Sequence, residues 1–96
     1  MARVRRSEQA QEDLETILDY LDRQSAQVAD RFAVKFDETC DFYAAHPRIG
    51  EAAREYAPNL YHFTVWNYAV FYRPFDGGIE LIRIIHGSRD IPKRFD

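Results

Sequence analysis

Cysteine is nearly absent from this sequence: Cys40 stands alone among 96 residues. One thiol makes no internal disulfide and no cysteine-based zinc cluster. Because Cys40 falls on the apolar stripe of a helical pattern, it reads as a buried structural thiol, not a nucleophile. Lysine is almost as scarce, with Lys35 and Lys93 only, and the formal charge is -3 with a pI near 5.6. No global positive field is available to hold a phosphate backbone, so any RNA or DNA contact has to be local. No stretch approaches the ~18 apolar residues of a membrane span. The opening MARVRRSEQA carries basic residues without the apolar run of a leader. The expectation is a soluble protein of a reducing cytoplasm with no membrane partner.

Glycine and histidine are too few and too scattered for the sites they usually build. Gly77 and Gly78 occupy a hairpin turn and open no helix, so they form no phosphate loop. His46, His62 and His86 lie on separate elements without metal-ligand spacing. Neither a cofactor nor a metal is expected. Glu12, Asp13 and Glu15 read as a solvated helix face.

What is present fits a folded chain. Hydrophobic residues make up 46% and charged residues 30% of the sequence, outside the range of disorder. The length predicts one domain spanning 1–96, burying roughly two thirds of the surface its unfolded chain exposes.

The front half is helical. Val4 among arginines fits a short edge strand, where charge discourages unwanted pairing. Ser7 then serves as N-cap, with Glu8, Glu12 and Asp13 near the positive helix end. Ala10, Leu14, Ile17, Leu18 and Leu21 recur at spacings of three and four, predicting a helix from about Glu8 to Arg23. Ser25 offers a second N-cap, and Ala29, Phe32, Ala33, Phe36, Cys40 and Tyr43 form a second stripe ending near Ala45, because Pro47 disfavours helical geometry at His46. So short a connection forces an antiparallel helical hairpin. Tyr20, Val28, Val34 and Phe42, with Leu21 at the stripe's margin, exceed what one stripe requires, a surplus available to a partner.

The back half is stranded. Glu51 to Pro58 has no clear period and room for a short helical turn. Leu60–Val65, Tyr68–Phe75 and Ile79–His86 are rich in aromatic and branched residues, joined by Trp66-Asn67 and Asp76-Gly77-Gly78. The fold class predicted is α+β: an N-terminal edge strand, a helical hairpin and a three-stranded antiparallel meander, with the hairpin on one sheet face and the other face free. Alternation puts Ile79, Leu81, Arg83 and Ile85 on one side of the last strand. The cost of burying an unpaired charge favours Arg83 on the open face, with Leu81 and Ile85 beside it.

The order helix, helix, P-x-x-G, strand, YAVFYR, DGG, IELIRIIHGSRDI resembles the ParE branch of the RelE/ParE toxin superfamily, over nearly the whole chain. The most specific parts are Tyr68 to Arg73 and the ending with Ile82, Arg83, His86, Gly87, Arg89 and Asp90. Two positions depart from the family: Tyr61 stands where an arginine is common, and Trp66 occupies a turn where small residues are more familiar.

The resemblance implies the toxin half of a type II toxin–antitoxin module and two competing activities. RelE-branch relatives cut messenger RNA on the ribosome, with several Lys and Arg residues on a concave sheet. ParE-branch relatives poison DNA gyrase without hydrolysing anything. RNA cleavage needs a base, an acid and cations on the phosphate. His86, Tyr72 and Tyr61 are the candidates for the first two roles, and Arg83, Arg89 and Arg73 for the last. With so few lysines and a negative net charge, the binding reading is preferred: no catalytic residue, and His86, Arg83 and Tyr72 as the suspects if the chain is an enzyme. A cognate ParD-like antitoxin, expected as a dimer, would then lay a helix or strand over the hairpin and the sheet edge. Arg83, Arg89 and Arg73 would meet its polar groups, and Tyr61, Phe71 and Leu81 its apolar anchors. By analogy, Arg89, Lys93, Arg94 and Phe95 of the tail would touch gyrase. A toxin fold with another target, or without activity, remains as a further reading.

Overall fold

The computed structural model describes residues 2–87. The elements are β1 (Arg3–Arg6), α1 (Glu8–Gln24), α2 (Ala26–Ala45), β2 (Glu51–Ala52), β3 (Tyr61–Val65), β4 (Tyr68–Phe75) and β5 (Gly78–His86). They form one five-stranded sheet in the order β1-β5-β4-β3-β2. Both helices start where a serine hydroxyl accepts a backbone N–H: Ser7 from Ala10 at 3.0 Å, and Ser25 from Val28 at 3.4 Å. Each such cap stabilises its helix by about 1 kcal/mol. Ser25 also ends α1, its N–H donating to the Leu21 carbonyl at 2.9 Å. One residue therefore makes the hairpin bend.

The helices cover one sheet face with the apolar stripes read from the sequence. Ala10, Leu14, Ile17 and Leu21 of α1 and Ala29, Phe32, Phe36, Cys40 and Ala44 of α2 pack on Phe63, Val65, Tyr68, Val70, Tyr72, Ile79, Leu81 and Ile84. Each large side chain so buried contributes roughly 1.5–3 kcal/mol. Tyr20, Val34 and Phe42, part of the predicted surplus, are more than half or half exposed.

The opposite face is not free, as expected from the sequence, but partly covered. The segment after α2 pairs Glu51 and Ala52 with His62 and Tyr61 as β2. It then folds under the sheet, where Ala53, Ala57 and Leu60 pack with Ala69, Phe71 and Ile85 in a second small core. A short strand and turns thus replace the helical turn allowed for Glu51–Pro58.

The second correction concerns β5. Phe71 pairs with Arg83 but Tyr72 with Leu81, so Ile82 is an extra residue and the strand carries a bulge. A bulge changes which way later side chains point. Leu81 therefore faces the helices, fully buried, while Ile85 joins the small core on the other side. The expected row of Leu81, Arg83 and Ile85 on one open face does not exist. Strict alternation fails here because the extra residue resets its phase.

Of the two predicted hairpin turns, Trp66-Asn67 is the unusual one. Trp66 sits at φ 54°, a left-handed geometry that costs a bulky residue of order 1–3 kcal/mol. Its indole lies edge-on to Phe32 at 5.2 Å.

Candidate partner interface

The parallel pairing of β1 reaches only from Gly78 to Leu81 of β5. From Ile82 to His86 the outer edge of β5 carries no strand among the described residues, and α1 runs beside it instead. Side chains at 13, 16, 17 and 20 recur at helical spacing along this flank of α1. They and β5 enclose a groove of about 490 Å³ lined by Thr16, Ile17, Tyr20, Tyr68, Ile85 and His86.

The Asp13–Arg83 pair also lines this groove. The Asp13 carboxylate accepts from Arg83 Nε at 2.9 Å, from Arg83 Nη2 at 3.5 Å, and from the backbone N–H of Ile84 at 2.9 Å. The third bond matters most for the sheet, because it satisfies an edge N–H that a further strand would otherwise take. The Asp13 side chain is only 12% exposed. Reading it as a solvated acid is therefore wrong. The signal that would have placed it is its position between Ala10, Leu14 and Ile17, on the border of the apolar stripe.

The residues expected to meet an antitoxin are dispersed. Arg83 is half-buried at the β5 edge, held by Asp13. Tyr61 is half-buried and stacks on Tyr72 with ring centroids 5.8 Å apart. Arg73 is half-buried on the outer face, opposite Glu80 in the strand register and without an ion pair to it. Phe71 and Leu81 are core residues with 1% and 0% exposure, so neither side chain is a surface anchor. Arg89, Lys93, Arg94 and Phe95 lie outside the described residues.

The three suspects for catalysis do not converge. Tyr72 is fully buried, and its hydroxyl donates to the Pro47 carbonyl at 2.8 Å. Burial pushes its phenol up to about 12, opposed by a backbone hydrogen bond from Gly50. A Cβ on Gly50 would collide with that hydroxyl, which explains the glycine of the P-x-x-G turn without invoking function. His86 pairs with Tyr68, edge to face at 5.2 Å. That is four positions from Tyr72 along β4, or roughly 13 Å. Arg83 is committed to Asp13.

Cys40 is buried as expected, and its thiol is pushed up to about 12 by desolvation first and by Asp37 second. Both raised groups stay neutral in the folded chain where the unfolded chain ionises. Their contribution is therefore complete below pH 9 and is lost as pH rises from about 9 to 12. Urea denaturation across this range should show stability falling by roughly 6 kcal/mol, summed over the two groups. In a Cys40→Ala, Tyr72→Phe double variant the slope should flatten. An equally steep decline in that variant would assign the alkaline loss to other groups.

Helical hairpin, five-stranded sheet and bulged last strand together define a RelE/ParE-like α+β fold. A solved structure described as the chromosomal ParDE TA system from P. aeruginosa has it too, with TM-score 0.72 at 19% identity, covering 90% of this chain and 96% of that one. The family described as ParE toxin of type II toxin-antitoxin system, parDE, matches residues 4–91. Toxin ParE1 of Mycobacterium tuberculosis, in strains CDC 1551 / Oshkosh and ATCC 25618 / H37Rv, is 31% identical over 86 residues, 88% of each chain. This chain belongs to the ParE toxin family of type II toxin–antitoxin systems.

Proposed function

We propose that the whole chain, 1–96, acts as one toxin domain in the cytoplasm, that a cognate ParD-like antitoxin dimer neutralises it by direct binding, and that it stops growth by engaging DNA gyrase without catalysing a reaction. The observation that carries the antitoxin contact is the groove between α1 and the half of β5 that has no neighbouring strand at its outer edge among the described residues. It offers apolar walls, two tyrosines and a paired charge. A disordered segment that folds on binding can lay a helix in such a groove. The ParDE description of the structural neighbour supports a partner of this kind. Arg83 stands at the groove, while Tyr61 and Arg73 would meet parts of the antitoxin that continue over the sheet. Arg89, Lys93, Arg94 and Phe95 are proposed contacts of the tail, Arg89 with either partner and the other three with gyrase.

The non-enzymatic reading is supported by the separation of Tyr72 from His86 and by the commitments of Tyr72 to Pro47 and of Arg83 to Asp13. A message-cleaving site would need a base, an acid and a free cation within reach of one phosphate. Substituting Arg83→Ala should weaken binding of the cognate antitoxin by about 1–3 kcal/mol, read by calorimetry on variants whose folded spectra match the parent. Unchanged affinity would remove Arg83 from the interface.

A further inference from the structure

At the other end of β5, eight residues or about 27 Å from His86, a different surface surrounds Phe75. In the sheet register Arg3, Gly78 and Phe75 form one row, and Arg5, Glu80 and Arg73 the next. Gly78 has no side chain, and the Phe75 ring carries the Arg5 guanidinium 3.9 Å from its centroid. Phe75 also lines a cleft of about 760 Å³ shared with Arg48, Ile49 and Pro74. Ile49 is 59% exposed, the most exposed large hydrophobic residue among those described.

Arg5 thus lies on the Phe75 ring, Arg48 lines the cleft with it, and Arg3 and Arg73 share its row or the next in the sheet, where the neighbouring acids are Asp76 and Glu80. None of the four makes an ion pair among the described residues; the pairs formed involve Arg6, Arg23, His62 and Arg83. This local excess of cations contrasts with the helical layer, where residues 8–45 hold ten acids and three bases, a net charge of -7.

We propose that the Phe75 end of the sheet is a docking surface for an acidic segment of a protein partner. Its carboxylates would pair with Arg5, Arg73 and Arg48, and an apolar side chain would enter the cleft beside Ile49 and Pro74. Arginine and aromatic residues are the types enriched at interface centres, and the guanidinium fork matches a carboxylate. A peptide is favoured over a nucleic acid for two reasons. The acidic helical layer repels a long polyanion, and the face of Phe75 that a base would stack on is already taken by Arg5. The surface lies apart from the α1–β5 groove and shares only Arg73 with the antitoxin contacts proposed above, so the amides of residues 3–5 and 48–49, which those contacts do not use, distinguish the two.

The test is an amide-resolved titration of the isotopically labelled full chain with three probes: a peptide alternating glutamate and leucine, its lysine–leucine counterpart, and a single-stranded RNA of similar length. The glutamate peptide should saturate, weaken with added salt, and move the amides of residues 3–5, 48–49 and 73–78. The R5Q/R73Q double variant, its spectrum otherwise unchanged, should bind that peptide about tenfold more weakly. Equal binding of the lysine peptide, unchanged affinity in the double variant, tighter binding of RNA at the same amides, or no saturable binding of the glutamate peptide would each overturn the proposal.

Discussion

Replacing Gly78 with alanine is expected to lower the unfolding free energy by about 3 kcal/mol, near the upper end for overpacking. A Cβ at this position would fall on the backbone carbonyl of Arg3. No rotamer change relieves that overlap, because the obstacle is main chain and not the end of a flexible side chain. Relief requires β1 to move off β5. That movement would break the Arg3 N–H bond to the Gly77 carbonyl at 2.8 Å and strain the Ser7 N–H bond to the Leu81 carbonyl at 2.9 Å. Ser7 is also the N-cap of α1 and donates its hydroxyl to the Ile82 carbonyl at 3.0 Å, so the disturbance passes from strand to helix. Chemical denaturation measures the loss, and amide exchange locates it: Val4 and Arg5 should lose protection first. The adjacent Gly77→Ala is the comparison. Its Cβ would meet nothing closer than Phe75 at 3.8 Å, but its φ of 107° disfavours a side chain, so a loss of about 1 kcal/mol is expected. A Gly78→Ala change below 0.5 kcal/mol, about the size of a neutral surface substitution, would show that β1 does not pair closely at this point.

Asp13→Ala should destabilise the chain by about 2–3 kcal/mol, although the residue lies on a helix otherwise lined with dispensable acids. The substitution leaves the Arg83 guanidinium without its carboxylate and the Ile84 N–H without an acceptor. Arg83 can swing into water, since its side chain is 32% exposed. Ile84 cannot, because it is buried, and the orphaned amide carries much of the penalty. A cycle of Asp13→Ala and Arg83→Ala therefore has a definite form. Arg83→Ala alone should cost less than Asp13→Ala, and the double variant should resemble Asp13→Ala. Glu12→Ala, at a solvated neighbour, should fall within about 0.5 kcal/mol of the parent. If Asp13→Ala matched Glu12→Ala, the bond to the β5 edge would carry no weight and the solvated reading of Asp13 would be restored.

These two positions mark where the sequence was legible and where it was not. Helices, caps, hairpin and meander follow from local signals: serines before apolar stripes of period 3.6, and turn residues between branched and aromatic runs. The predicted strand Tyr68–Phe75 and helix end at Ala45 match the structure residue for residue. The β5 bulge leaves no such local mark, since IELIRIIH alternates equally well with or without an extra residue. It arises from pairing with β4, and it reversed the assignments of Leu81 and Ile85. Asp13 was misread for a related reason. A carboxylate beside an apolar stripe is solvated on an isolated helix and becomes a structural acceptor only when a strand edge with an unpaired N–H lies against it. Covering of the second sheet face by Ala53, Ala57 and Leu60 depends equally on tertiary contact, because small residues in an irregular segment show no period.

For the site, the residue types at the α1–β5 groove were visible in the sequence, but their grouping was not. Arg83 was assigned to the open face because burying it unpaired is costly, yet it has a partner 70 residues away on α1. Tyr72 and His86 share a motif-rich region, and only the strand register shows them to be separated.

The central claim, that this ParE-family chain stops growth by acting on gyrase and not by cutting RNA, is tested most directly by expressing it in a bacterial host without antitoxin. Plasmid DNA broken in gyrase-dependent complexes and ribosome-bound messages are then measured in the same cells. Trapped DNA breaks with intact messages are the predicted result. Cleaved messages with intact DNA would contradict it and place His86, Arg83 and Tyr72 in a catalytic arrangement that the free chain does not adopt.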